Sequence, residues 1–369
     1  MTATDPNPWL AREKPELVAL MSLPGITPRR MRDMLAVFGS PAGAWNAVLN
    51  RATGEPEEVA RDWRQRATAS SPDAMMSRFA ASDITVIVRG EPVYPAMLGQ
   101  IHDPPFVLFV RGALPLGRDC VGIVGARKAS AYGVEATRSL AEGLAAAGLC
   151  VVSGAAYGID TAAHDGAIKA RGLTTAVLGC GVDVVYPRSN AKLYEDIRHS
   201  GALVSEYFPG TEPKPYQFPA RNRIIAGLSR AVVVVEASER SGALITADFA
   251  LAEGRDVMAV PGQVFSPNSK GTHGLIRAGA ALVTNAEDVL VELGLSGEHA
   301  PWEQQQSPGH SPEEEALLEV LAAGPVDMEA LCLATGQPVA SATANLSSLE
   351  VRGLVTRMAG NRYQRCRPR

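Results

Sequence analysis

Between about Asp119 and Gly294 the chain alternates short apolar runs with helix-length amphipathic segments. The runs are Val121–Val124, Leu149–Val152, Thr175–Leu178, Leu203–Val204, Ala231–Val235, Val257–Val260 and Ala281–Val283. Polar residues do not alternate within them, so they read as strands covered on both faces. Gly148, Gly172 and Gly254 lie between helix and strand, where a helix end calls for a left-handed residue. The pattern predicts a doubly wound, mostly parallel α/β sheet with helices on both faces, and ligands at the carboxyl ends of its strands.

The two ends of the chain follow a different period. From Lys14 to Ala81 apolar residues recur at helical spacing: Leu17, Leu20 and Met21, then Met31, Met34, Leu35 and Phe38. Thr27 and Ser40 are candidate N-caps, and Leu23-Pro24-Gly25-Ile26 separates two helices as in a helix-hairpin-helix or a related small bundle. After a polar Gly/Pro-containing stretch, helical patterns span Pro312–Ala323, Asp327–Ala334 and Pro338–Arg352. Two short runs flanking Ala359-Gly360-Asn361 then read as a hairpin, so this end predicts a winged helix-turn-helix. The expected division is a helical domain over 1–85, a Rossmann-like domain over 86–294, a linker over 295–311 and a winged helix over 312–369.

Composition narrows the setting. The 369 residues are 46% hydrophobic and 20% charged, with a net charge of −4, which suits a globular protein and argues against a surface that is basic throughout. The cysteines, Cys120, Cys150, Cys180, Cys332 and Cys366, form no C-x-x-C pair, and a reducing, cytoplasmic setting is expected. The histidines show no metal-ligand spacing, so no metal is expected. Met1 to Trp9 is polar and proline-rich, unlike a signal peptide, and no apolar run reaches membrane-spanning length.

The predicted carboxyl rim of the sheet carries small residues and cations. The first strand of the alternating region leads into Gly125-Ala126-Arg127-Lys128, the second into Ser153-Gly154, the third into Gly179-Cys180-Gly181, and the fifth towards Ser241-Gly242. In Phe218-Pro219-Ala220-Arg221-Asn222-Arg223, Pro219 suits the first position of a helix, which puts Arg221 and Arg223 beside unpaired N–H groups. Two guanidiniums there favour an anion such as phosphate; salt bridges to nearby carboxylates are the competing reading. Phe218 can stack on an unpaired base or plug the core. No dinucleotide fingerprint, Walker A loop or nucleophile elbow is present, so no catalytic constellation, cofactor or enzyme activity is expected.

These stretches together resemble the DprA/Smf family of bacterial DNA-processing proteins. The resemblance rests on Tyr94-Pro95, Ile101-His102-Asp103-Pro104-Pro105, Val124-Gly125-Ala126-Arg127, Ser153-Gly154 with Gly158-Ile159-Asp160, and Val177 to Asp183. It continues through Tyr186-Pro187, Ser205-Glu206-Tyr207, Phe218 to Ser229, Glu236-Ala237, Ser241 to Ala247, Val260-Pro261-Gly262 and Ser269 to His273. It implies a Rossmann-like domain that binds single-stranded DNA, forms a homodimer, and hands incoming strands to the RecA recombinase in natural transformation. The DNA contacts it implies are Gly125, Ala126, Arg127, Ser153, Gly154, Phe218, Arg221, Asn222, Arg223, Ser241 and Gly242, with Lys128 and Lys214 as candidate additional cations. His273, Ile276 and Leu282 are the implied dimer contacts. Two positions depart from the family: Ala126 stands where a serine is usual, and Tyr157 where a basic residue is frequent. Two rival readings fit the same architecture. One is a nucleotide phosphoribohydrolase of the same architecture, against which the stretch Glu236 to Ala243 lacks the Pro-Gly-Gly-x-Gly-Thr loop. The other is a duplex-binding regulator acting through the winged helix.

Overall fold

The computed structural model describes residues 12–295, 311–321, 324–351, 354–358 and 362–365. The predicted turn Ala359-Gly360-Asn361, most of the predicted linker, and Arg352, Cys366, Arg367 and Arg369 lie outside them. The chain divides into two compact units, Met1–His299 and Ala300–Arg369.

The first unit opens with five helices: α1 (Lys14–Met21), α2 (Pro28–Phe38), α3 (Pro41–Leu49), α4 (Glu57–Ala69) and α5 (Pro72–Ala81). Thr27, Ser40 and Ser71 each accept a hydrogen bond from the backbone N–H three residues on, with proline following at the first helical position. A strand pair follows: β1 (Thr85–Val88), a short helix α6 (Ala96–Gly99) and β2 (Val107–Gly112). The alternating region is β3 (Cys120–Val124), α7 (Ala131–Ala146), β4 (Cys150–Ser153), α8 (Ile159–Lys169), β5 (Thr174–Val177), α9 (Ala191–Ser200) and β6 (Gly201–Ser205). It continues with α10 (Gln217–Leu228), β7 (Ala231–Val234), α11 (Gly242–Ala252), β8 (Asp256–Ala259), α12 (Lys270–Arg277), β9 (Ala281–Leu282) and α13 (Ala286–Glu292).

Among the described residues these strands form one nine-stranded sheet in the order β1-β2-β6-β5-β4-β3-β7-β8-β9. The seven strands from β3 to β9 pair in parallel, and β1 and β2 add an antiparallel flank beside β6. The first crossovers run outward from β3 towards β6, and the later ones run outward from β7 towards β9. The strand order therefore reverses between β3 and β7, and that junction is where open α/β sheets hold their ligands.

Successive strand residues point to opposite faces, and both faces are buried. Val121, Ile123, Val151, Val233 and Met258 pack under α7, α8 and α13. Val124, Val152, Val177, Val232 and Val234 pack under α10 and α11. The N-terminal helices share a third cluster with β1, β2 and α9. There Phe79 of α5, Phe109 of β2 and Phe208 after β6 meet edge to face at centroid distances of 5.4–5.7 Å. The boundary expected at residue 85 falls at the start of β1, and the helices before it are continuous with the sheet's core.

The second unit contains α14 (Pro312–Val320), β10 (Val326–Asp327), α15 (Met328–Thr335), α16 (Val339–Val351), β11 (Val355–Met358) and β12 (Arg362–Arg365). The strands form a small antiparallel sheet in the order β10-β12-β11. Leu317, Leu331, Leu346, Leu349, Val355 and Tyr363 make its core. Ser311 and Glu314 form a reciprocal capping box at α14. Its charges are segregated along the chain. Ser311 to Val351 carries Glu313, Glu314, Glu315, Glu319, Asp327, Glu329 and Glu350 and no lysine, arginine or histidine, whereas Arg357, Arg362 and Arg365 lie in the hairpin.

Candidate nucleic-acid interface

The reversal point between β3 and β7 opens into a cavity of about 450 Å³. Its wall includes Gly125 and Arg127 after β3, Asp160 at the start of α8, and Tyr186 in the loop after β5. Phe218, Arg221 and Asn222 of α10 and Ser241 and Gly242 at the start of α11 complete it. Loops from strands far apart in sequence thus converge because the parallel sheet places all their carboxyl ends on one rim.

Arg221 is the floor. It is 3% exposed, and its guanidinium donates to the carbonyl of Gly154 at 2.9 Å and also to that of Val177. Its Nε reaches Asn222 Oδ1 at 3.2 Å. One side chain therefore ties together the ends of β4 and β5. Burial pulls its pKa down and the nearby Asp160 carboxylate opposes that pull. Asp160 is itself buried, which pushes its pKa up, while Arg221 and a hydrogen bond from the Ala156 N–H hold it down. The close approach of Arg221 explains Gly154: a β-carbon there would lie 2.4–2.7 Å from the guanidinium atoms.

Above this floor stands an aromatic wall. Phe218 is half-buried and belongs to none of the sheet's hydrophobic clusters. Its ring lies against Gly179, where a β-carbon would approach it to 2.8 Å. The Tyr186 ring sits 5.4 Å from it at 35°, and the exposed Arg127 guanidinium lies 5.3 Å from its centroid. That is a cation–π contact with the charge left open to solvent. The site combines a buried cation, a free cation, an aromatic surface, and the helix start at Ser241–Gly242, where Ser241 Oγ caps the Ala243 N–H at 3.3 Å.

The structure rearranges part of the expected site. Helix α10 begins at Gln217, two residues before Pro219, so Arg221 and Arg223 lie beyond its first turn. Gln217 makes the earlier start by accepting the Lys214 N–H with its side chain at 2.6 Å. Pro219 is still accommodated, because the first four N–H groups of a helix have no helical partner. Arg223 does not reach the pocket: it is buried, donates to Glu206 at 2.5 Å and lies 3.6 Å from Asp103, so the salt-bridge reading holds for it. Burial pushes the Glu206 pKa up and Arg223 pulls it back. Ser153 is fully buried and its hydroxyl donates to the Ile123 carbonyl at 2.6 Å, bracing β3 against β4 rather than facing the cavity. Ala126, Lys128 and Lys214 lie outside the lining; Lys128 and Lys214 are exposed on the rim. Tyr157 is exposed beside Ser189 and does not line the cavity. Tyr186 and Asp160, which are not among the expected DNA contacts, do line it.

His164 is enclosed in α8, with Nδ1 2.7 Å from Thr174 Oγ1, and burial lowers its pKa to about 3. It is a neutral structural residue. Among the described residues no group of three or more His, Cys, Asp or Glu side chains could hold a metal ion, and no helix is long and apolar enough to cross a membrane.

The chain is thus a doubly wound α/β protein with a cationic, aromatic-walled pocket at its switch point, on the rim where open sheets of this kind hold their ligands. The chain belongs to the DNA recombination-mediator protein A family: that family's profile matches residues 85–294, and the DprA winged helix domain matches residues 301–361. It is 48% identical to the DNA processing protein DprA of Streptococcus pneumoniae over 54% of this chain and 71% of that protein. It is 32% identical to the Smf protein of Synechocystis over 94% of this chain and 98% of that protein. The X-ray structure of the Streptococcus pneumoniae protein superposes with a TM-score of 0.65 at 37% identity, covering 75% of this chain and 97% of that one. DNA processing protein A from Helicobacter pylori, whose structure was reported for its single-stranded DNA binding mode, gives a TM-score of 0.52 at 29% identity over 57% of this chain and 95% of that one.

Proposed function

We propose that this chain binds single-stranded DNA at the β3–β7 rim and acts by occupancy and hand-over, without making or breaking bonds. Arg127 holds a backbone phosphate, the start of α11 offers N–H groups to a second oxygen, and a base stacks on the Phe218–Tyr186 wall. The observation that carries this reading is the Arg127–Phe218–Tyr186 stack standing over the buried Arg221. A free cation beside an exposed π-face suits an unpaired nucleotide and is inaccessible to a base within a duplex. Support also comes from the family and from the single-stranded DNA binding mode reported for the Helicobacter pylori relative.

The protein works in this reading as a cytoplasmic homodimer through His273, Ile276 and Leu282, and passes the protected strand to the RecA recombinase during natural transformation. α12 and β9 lie at the open edge of the sheet, and Leu282 is half-exposed there. Leu275 packs inward on the sheet's core, leaving Ile276 partly exposed. His273 Nε2 lies 3.1 Å from the Gly262 carbonyl, which fixes α12 to the loop after β8. The test is binding of oligo-dT against a duplex of equal length across a salt series. The wild type should prefer the single strand. Arg127→Ala should weaken that binding for every sequence and lower the logarithmic salt slope by about 0.7, one phosphate contact. Equal affinity for duplex, or an unchanged slope in Arg127→Ala, would refute the assignment.

A further inference from the structure

The same rim carries an aromatic side chain that no part of the pocket uses. In the loop between β8 and α12, Phe265 is 98% exposed and Val264 is 75% exposed. They occupy the two central positions of a β-turn closed by the Ser266 N–H on the Gln263 carbonyl at 3.0 Å. Turn centres favour Gly, Asn, Asp, Ser or Pro, so a Val-Phe pair there has no local conformational reason.

The loop that lifts this turn is firmly seated. Tyr132 Oη donates to the Pro261 carbonyl at 2.7 Å, and Asn268 Nδ2 donates to the Lys128 carbonyl at 3.1 Å. The Ala237 N–H donates to the Asn268 carbonyl at 2.7 Å, and Glu236 accepts from Ser130 N–H and Oγ at 2.9 and 2.6 Å. The loop is thereby joined to the loop that bears Arg127 and to the end of β7. The elements joined to this loop carry exposed cations: Arg127 and Lys128 on the loop that accepts from Asn268, Arg240 in the loop after β7, and Lys270 at the start of α12, 4.0 Å from Glu239.

We infer that Phe265 is a second stacking platform, which receives a base of the same strand after it leaves the Phe218 pocket. Continuity with that pocket and the flanking cations favour a polyanion with exposed π-faces over an apolar protein segment. The inference rests on the single-stranded DNA reading above.

The test compares wild type, Phe265→Ala, Phe265→Trp and Arg127→Ala on oligo-dT of about 6 and about 20 nucleotides, a short ligand within one site and one that overruns it. Phe265→Ala should reduce the preference for the longer strand by about 10-fold, the scale of one base–aromatic stack. Phe265→Trp should retain it. Oligo-dT carrying 5-iodo-deoxyuridine should photo-crosslink to the peptide containing Phe265. An unchanged length preference with no crosslink overturns the platform. So does a loss matched by dissociation of the protein in sedimentation, which would assign Phe265 to contact with a second copy. If wild type binds neither oligomer, the functional reading falls and takes the platform with it. If Arg127→Ala weakens both oligomers while Phe265→Ala changes nothing, the platform alone is wrong.

Discussion

Replacing Arg221 by alanine separates a structural cation from a ligand-binding one. The guanidinium serves two buried carbonyls, those of Gly154 and Val177, at the ends of neighbouring strands. Leaving a buried acceptor unpaired costs about 1–3 kcal/mol, so the two together cost roughly 2–6 kcal/mol. The buried Asp160 loses its main favourable charge as well, and stripping one partner from a buried charged arrangement costs about 3–5 kcal/mol. These terms overlap, and a loss of about 3–6 kcal/mol is expected, on the order of 10 °C in melting temperature. Arg127→Ala should by contrast stay within about 1 kcal/mol of wild type, since Arg127 is exposed and its described contact is the Phe218 ring. Urea unfolding at neutral pH, read beside oligo-dT binding, gives both quantities for each variant. An Arg221→Ala protein with the wild-type unfolding midpoint and weakened binding would refute the stapling argument and make Arg221 a simple phosphate ligand.

Gly154→Ala should destabilise by about 1–3 kcal/mol and weaken oligo-dT binding together, because the new methyl displaces the Arg221 fork; calorimetry showing wild-type stability would contradict this. Phe218→Ala should lose about 1–3 kcal/mol of binding with a smaller fall in stability, because the ring lies outside the sheet's clusters; a large melting shift with intact binding would reverse that assignment. His164 has a folded pKa of about 3 against an ordinary value of 6.5, so between these pH values the unfolded chain binds a proton that the folded chain does not. Stability is therefore lost as pH falls below about 6.5, at up to about 1.4 kcal/mol per pH unit from this residue, and His164→Asn should flatten that slope in unfolding curves. Ile276→Arg places two charges at an isologous contact and should sediment as a folded monomer; persistence of a dimer at micromolar concentration would remove α12 from the interface.

The parallel strands were legible because their signal is local: four or five consecutive β-branched or small apolar residues, with a turn glycine before several of them. The reversal point was not, since strand order depends on pairing between segments far apart. β1 and β2 went unread for a related reason: they precede the strand–helix alternation and pair antiparallel with each other across α6, a pairing that no local period announces. In the site, Arg127 and Phe218 could be read from the loop chemistry. The fates of Arg221 and Arg223 could not, because their partners lie elsewhere in the chain: Gly154 is 67 residues from Arg221, and Glu206 is 17 from Arg223. Tyr186 enters the pocket only because the loop after β5 folds over α10. Pro219 misled because a proline suits any of the first few helical positions, so it marks a helix start only to within a turn.

The charge segregation of the second unit limits how it could meet DNA. A recognition helix lying in a major groove about 12 Å wide has phosphates on both sides. Here α14, α15 and α16 carry six carboxylates, Glu314 among them buried, and no basic side chain. Among the described residues these helices supply no cation to a phosphate, so insertion of one of them gains no counterion release from its own side chains. Among the described residues the arginines of this unit, Arg357, Arg362 and Arg365, all lie in the hairpin strands, which makes the hairpin the part that attracts a polyanion. The helical part of the described residues favours ligands of the opposite sign, so the helix-turn-helix shape is not by itself a ground for expecting duplex reading.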